Sequence, residues 1–227
     1  MATPKITIKR GFLFYLLDQP KLVFSIGLVW LFHISGMIGI TLGFQNWFLP
    51  KTPLNLLLCF ALLLWNYPLN SIKKYLVTFV FFSIGMFVEW IGVHHDFLFG
   101  AYYYGNSMGV KLDGVPLLIG VNWAVLTLIT GTIAHHLAHR LLGRVIIGAF
   151  LMVFLDFFLE VSAPLFDFWH WEIGHAPMKN FITWFLVSAV LHFILQVTKL
   201  VGNLQFSAHL YTAQLLFFAY FYGFHHV

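Results

Sequence analysis

Three carboxyl side chains fall inside apolar runs with no cation beside them: Glu89, Asp156 and Glu160. Glu89 is flanked by Gly85-Met86-Phe87-Val88 and Trp90-Ile91. Asp156 and Glu160 are spaced i, i+4, so on a helix they share one face about one turn apart. An ionisable group within a membrane span is expensive and marks a functional site by default. Burial away from a cation disfavours the ionised form, and a like-charged neighbour disfavours it further. At least one of the three is therefore expected to hold a proton near neutrality. A protonated buried acid is what general-acid chemistry requires, and a second carboxylate beside it can take a proton back. The plainer alternative is that these acids cap helix ends or bond to loop backbone. Three of them on two runs, with four more acids in the adjoining loops, favour the chemical reading.

The loops after these runs mix aromatic and polar residues. One reads His94-His95-Asp96-Phe97-Leu98-Phe99-Gly100-Ala101-Tyr102-Tyr103-Tyr104-Gly105. The other reads Pro164-Leu165-Phe166-Asp167-Phe168-Trp169-His170-Trp171-Glu172. Such residues suit the aromatic belt at a membrane interface. They equally suit a lid over a long apolar cavity, with rings that can stabilise a cation. Both roles can hold together.

The twelve histidines raise the question of a metal. His135-His136-Leu137-Ala138-His139 resembles the histidine clusters of membrane di-iron enzymes, but those need about eight on one side. Here His94, His95, His170 and His175 fall on the opposite side, so no metal site is expected, and the cluster reads as interfacial, beside Arg140. His33 and His192 stand alone within apolar runs and are expected to bond across helices. The last run contains no Lys, which excludes a retinal Schiff base.

The elements that must position these groups follow from composition. Of 227 residues 60% are apolar and 9% charged, with a mean hydropathy of +0.86. That is too little charge to coat a soluble surface, so lipid is the solvent that fits. The expected fold is all-α: a single integral membrane domain, a transmembrane helical bundle of about seven spans. These lie near 22–42, 54–70, 75–94, 115–138, 144–163, 181–201 and 206–223. The second and seventh are short, which leaves six possible. Residues 1–20 form an N-terminal arm, with 6–18 at the interface. No cleavable leader is evident, because Asp18-Gln19-Pro20 interrupts the first apolar stretch. Trp47-Phe48-Leu49-Pro50-Lys51 closes the first span, and Asn180 stands at the N-cap position of the sixth. The single Cys59 cannot form an intrachain disulfide.

With seven spans, nine basic residues lie on the N-terminal side (Lys5, Lys9, Arg10, Lys21, Lys73, Lys74, Arg140, Arg144 and Lys199) and three on the other (Lys51, Lys111 and Lys179). The positive-inside rule then places the N-terminus in the cytoplasm. Seven of the eight acids collect on the outer side, at the ends of spans 3 and 5 and in their loops. The net charge of +4 is scattered at span ends and is no nucleic-acid signature.

The motifs Glu89-x-x-Gly92, Phe99-Gly100-x-Tyr102-x-Tyr104, Gly114-Val115-Pro116 and Trp123 come in a familiar order. Asp156, Pro164, Trp169-x-Trp171 and Asn180-Phe181-x-x-Trp184 continue it. Together they resemble the integral membrane carotenoid biosynthesis family, and within it the CruF-type carotenoid 1,2-hydratases. The resemblance covers roughly residues 80–190. It departs at His175-Ala176-Pro177, where the family has a Gly-hydrophobic-Pro step.

The resemblance implies a carotenoid substrate held in the bilayer of a bacterial or archaeal cell membrane, among membrane lipid and with other carotenoid enzymes as possible partners. It implies hydration of the terminal double bond of an acyclic end group to a tertiary alcohol, on a substrate such as lycopene, γ-carotene or bisanhydrobacterioruberin, with no redox cofactor. Residue by residue it points to Tyr102, Tyr104, Trp123, Trp169, Trp171, Asn180 and Trp184 as substrate-binding, with Asp96 and His170 as secondary candidates. Chemically, a positioned acid would protonate the alkene to a tertiary carbocation, and a second carboxylate would take a proton from the water that adds. In that scheme Asp156 is the acid, Glu89 positions or deprotonates water, and Glu160 tunes Asp156; the roles of Asp156 and Glu89 can be reversed. Three rivals share parts of this pattern: a membrane lycopene cyclase that quenches the cation by ring closure, a carotenoid-cleaving or hydroxylating metalloenzyme, and a non-enzymatic carotenoid or lipid carrier.

Overall fold

The computed structural model describes residues 18–225, and the expected N-terminal arm falls almost wholly outside them. The chain folds as an antiparallel bundle of long helices. In order these are α1 (Pro20–Thr41), a short α2 (Gln45–Phe48) joined through a 3₁₀ turn (Leu49–Lys51) to α3 (Thr52–Asn66), and α4 (Ile72–His95). After them come α5 (Leu117–Leu137), α6 (Leu141–Leu165), α7 (Met178–Val197) and α8 (Leu204–His225). Four short strands lie in the loops: β1 (Tyr102–Tyr104), β2 (Lys111–Leu112), β3 (Val115–Pro116) and β4 (Trp169–Trp171).

Among the described residues, six helical stretches are long and apolar enough to cross a membrane, the stretch Gln45–Asn66 being one of them. Helix α8 is as long as α1 and crosses the bundle too, packed against α1, α5 and α6, but its Gln, His, Ser and Thr residues make it the least apolar. The second span is thus longer than the sequence suggests. Trp47 to Lys51 do not close the first span; they begin the second, because a 3₁₀ turn seats Pro50 near a helix start, where its missing N–H costs nothing.

Proline also sets other helix starts. Pro20 lies in the first turn of α1, and Pro116 and Pro177 are the N-cap residues of α5 and α7. The start at Pro177 shifts Asn180 from the expected cap into the first turn of α7, which frees its side chain for another use.

Helix α5 is the axis of the bundle: 78% of its most apolar stretch is buried, against 22% for α1. The other helices turn apolar stripes outward. On α7 the exposed residues Ile182, Leu186, Val190, Phe193 and Val197 follow helical spacing, as a lipid-facing surface requires. Tyr67, between α3 and α4, pins the opposite end of the bundle through its hydroxyl, which lies 3.0 Å from Thr132 Oγ1 and 3.0 Å from the Leu200 carbonyl.

The carboxyl-bearing ends of α4 and α6 reach the same end of the molecule. The loops that follow them are joined there by the antiparallel pair β1–β4, with Tyr102 opposite Trp171 and Tyr104 opposite Trp169. The same end receives the C-terminal half of α8, where Phe221 packs against Phe166 with ring centroids 5.0 Å apart.

Candidate functional site

Side chains alternate across a strand, and this sorts the two aromatic loops. Tyr102, Tyr104, Trp169 and Trp171 point inward and are buried, while Tyr103 and His170 point outward and stack on each other. The inward rings meet the carboxyls of α4 and α6.

Glu89, two turns before the end of α4, is 3% exposed. Its Oε2 accepts hydrogen bonds from the Tyr102 and Tyr104 hydroxyls at 2.6 and 2.7 Å, and its Oε1 accepts one from the Trp123 indole N–H at 2.9 Å. Gly92 makes this possible. A Cβ there would stand 2.5 Å from Phe99 Cδ2 and 2.7 Å from the Tyr102 hydroxyl, so any side chain would push the tyrosine off Glu89. Helix α4 then ends on Asp96, which adopts the left-handed conformation common at helix C-termini.

Glu160, on α6, is also held by three donors. Trp169 and Trp171 donate their indole N–H groups to Oε2 at 3.0 and 2.7 Å, and Asn180 Nδ2 donates to Oε1 at 2.8 Å. The same Asn180 nitrogen lies 3.3 Å from Asp156 Oδ2. Asp156 Oδ1 is buried with no hydrogen-bond partner among the described residues.

Magnitudes separate them. Burying one carboxylate costs several kcal/mol, and a hydrogen bond to a charged acceptor returns about 1.5–3 kcal/mol. Three such bonds offset the cost for Glu89 and for Glu160. Asp156 has a single long one, so in its unprotonated form it is the least compensated of the three.

Glu89 and Glu160 line a small cavity of ≈ 10 Å³ together with Phe99, Tyr102, Trp169 and Trp184. That is about the space one water takes up. Tyr104, Ile119, Trp171 and Asn180 complete its wall. Behind it Trp123 stacks face to face on Trp184, with ring centroids 3.9 Å apart. Asp156 does not line the cavity; it stands behind Asn180 on the same face of α6. A second, mostly apolar cavity of ≈ 310 Å³ lies between α1, α3, α6 and α8, and Trp169 belongs to the walls of both.

All seven aromatic and amide residues picked out from the sequence gather here. Phe99, which opens one of the motifs, and Ile119 join them without having been named as contacts; only apolar character marks Ile119. The two secondary candidates stay apart. Asp96 ends α4, where its backbone carbonyl accepts a bond from Lys179 at 3.4 Å. His170 faces outward and bonds through Nε2 to Asp167 Oδ1 at 2.8 Å. That bond and the Asn106 backbone N–H, at 2.7 Å from Oδ2, hold the Asp167 carboxyl below the usual carboxylate range.

Four other histidines have hydrogen-bond partners away from this site. His135 Nδ1 lies 3.0 Å from Gln196 Oε1, and His136 Nδ1 lies 2.9 Å from the Thr132 carbonyl. His192 bonds across helices as expected, to Thr130 at 2.8 Å. His33 does not: its Nδ1 bonds within α1, to the Val29 carbonyl at 2.7 Å.

Residues 51–226 match the family model described as carotenoid biosynthesis protein, a longer stretch than the motifs alone cover. No curated protein and no solved structure matches the chain.

Proposed function

We propose that this chain, which belongs to the carotenoid biosynthesis protein family, is an integral membrane enzyme that adds water across the terminal double bond of an acyclic carotenoid end group, giving a tertiary alcohol. One observation carries the reading: two carboxyls from different helices line a water-sized cavity, and Trp169 forms a wall both of that cavity and of a large apolar one. Water and a polyene can meet there.

The chemistry asks for one carboxyl that carries a proton and one that does not. The reading gives the proton to the Asp156/Glu160 pair, which Asn180 bridges and which shares it as a unit. Glu160, the member that lines the cavity, delivers it to the less substituted alkene carbon. The π electrons form the new C–H bond and leave a tertiary cation. Trp169, Trp171, Trp184 and Phe99 line the cavity and give that cation aromatic surroundings. Glu89, on the other wall, takes a proton from the water as its oxygen bonds to the cation. The net change is one water added, and proton transfer back from Glu89 to the pair restores the site. The reading retains Asp156, Glu89 and Glu160 as the catalytic candidates but exchanges two roles: Glu160 delivers the proton and Asp156 tunes it, while Glu89 stays with the water.

The test is expression in a lycopene-accumulating host with mass analysis of the pigments. A product heavier by one water is expected, and it should disappear in Asp156→Asn and in Glu89→Gln at equal protein level. A cyclic product of unchanged mass would show a cyclase instead. Full hydration by either variant would remove that residue from the mechanism.

A further inference from the structure

The large cavity contains polar groups that the hydration scheme leaves idle. Gln214, on α8, is 7% exposed, lines this cavity, and has its Oε1 buried with no hydrogen-bond partner among the described residues. His33, 5% exposed on α1, lines it too. Phe217 lines the cavity with them: the His33 ring meets it edge-on at 6.0 Å, and Gln214 precedes it by three residues on α8. His33 sits eight residues before the end of α1, roughly 12 Å along the helix, within the stretch that must lie in hydrocarbon.

An amide with no partner in hydrocarbon is costly, and each such group calls for an explanation. The His33 ring is oriented by its own helix. Nδ1 lies 2.7 Å from a backbone carbonyl, which can only accept, so Nδ1 carries the hydrogen and Nε2 of the neutral ring is an acceptor. Gln214 brings both an acceptor and a donor. An alcohol hydroxyl, which donates one hydrogen and accepts another, satisfies this pair. A pure hydrocarbon leaves it unpaired.

We propose that the large cavity is a binding site for a polyene that carries an alcohol group, read by Gln214 and His33. This rests on the polyene-binding part of the function proposed above and not on its acid chemistry. A site built to hydrogen-bond a hydroxyl discriminates strongly against the analogue that lacks it.

The test uses the full chain in nanodiscs with Asp156→Asn as background, so that no ligand turns over. Binding of lycopene and of its tertiary mono-alcohol is read from quenching of tryptophan fluorescence, since Trp47 and Trp169 line the cavity. The alcohol is expected to bind at least about tenfold more tightly. Gln214→Leu and His33→Phe should each bring it down towards the affinity of lycopene. Gln214→Met, which keeps the side chain's length but not its hydrogen bonds, is read in parallel, and lycopene binding reports that each variant is folded. Equal affinity for the two ligands, or an alcohol preference that survives loss of the Gln214 amide, would overturn the proposal. A protein that prefers the alcohol but hydrates nothing would leave this site standing and sink only the hydratase reading.

Discussion

Asn180 and Glu160 are joined by a 2.8 Å hydrogen bond, and the same Asn180 nitrogen lies 3.3 Å from Asp156. One amide from α7 thus ties together two acids one turn apart on α6. Asn180→Leu removes the one donor that Asp156 has among the described residues and one of three for Glu160. Product formation should fall by roughly 100-fold, the scale seen when one oriented donor is lost from a catalytic site, with the protein still present in the membrane at normal level. Pigment analysis against an immunoblot checks this.

Glu89 anchors three buried donors, so its replacement tests stability as well as the proposed chemistry. Glu89→Gln keeps an oxygen for Trp123 and leaves an amide that the two tyrosines can meet, so it should fold while losing roughly 100- to 10,000-fold in rate. Glu89→Leu strands three buried donors at about 1–3 kcal/mol each and should not accumulate. Thermal melts of the two variants in detergent separate the cases, the leucine variant falling far below the glutamine one.

Gly92→Ala places a methyl against Phe99 and the Tyr102 hydroxyl. Overpacking of this kind costs about 1–3 kcal/mol, and here it also lifts Tyr102 from Glu89. Both melting temperature and product yield should drop. Gly27→Ala, which meets nothing within 4 Å, serves as the control that should change neither.

The end of the bundle that carries the acids was legible in the sequence, and the wiring of the site was not. Glu89 and Asp156 fall at the ends of two spans running the same way, so parity alone puts them on one face. What no local pattern contains is that β1 and β4, some 65 residues apart, pair with each other, because that register is set by the two helices beneath. Proline misled twice: Pro50 reads as a stop and serves a start, and Pro177 takes the cap position that Asn180 resembles. His33 stands out in its apolar run but is expected to bond across helices, and Gln214 is not marked at all, since only packing decides whether such a group finds a partner.

Acid should loosen the loop after α6 before the bundle. The Asp167 carboxyl is held below its ordinary range by His170 and by the Asn106 amide. Its contribution is therefore complete above the ordinary carboxylate value, about 3.9, and is lost as pH falls through the lower folded-state value. The group is largely exposed, so the effect is small. Fluorescence of the tryptophans beside it, followed in acid titration, should show a transition that Asp167→Asn removes.

Incubation of membranes containing this protein with an acyclic carotenoid in heavy-oxygen water tests the central claim most directly. The account predicts that the new alcohol carries the heavy oxygen, and that labelled dioxygen in ordinary water leaves the product unlabelled. An alcohol whose oxygen comes from dioxygen, or a product with no oxygen at all, would contradict it.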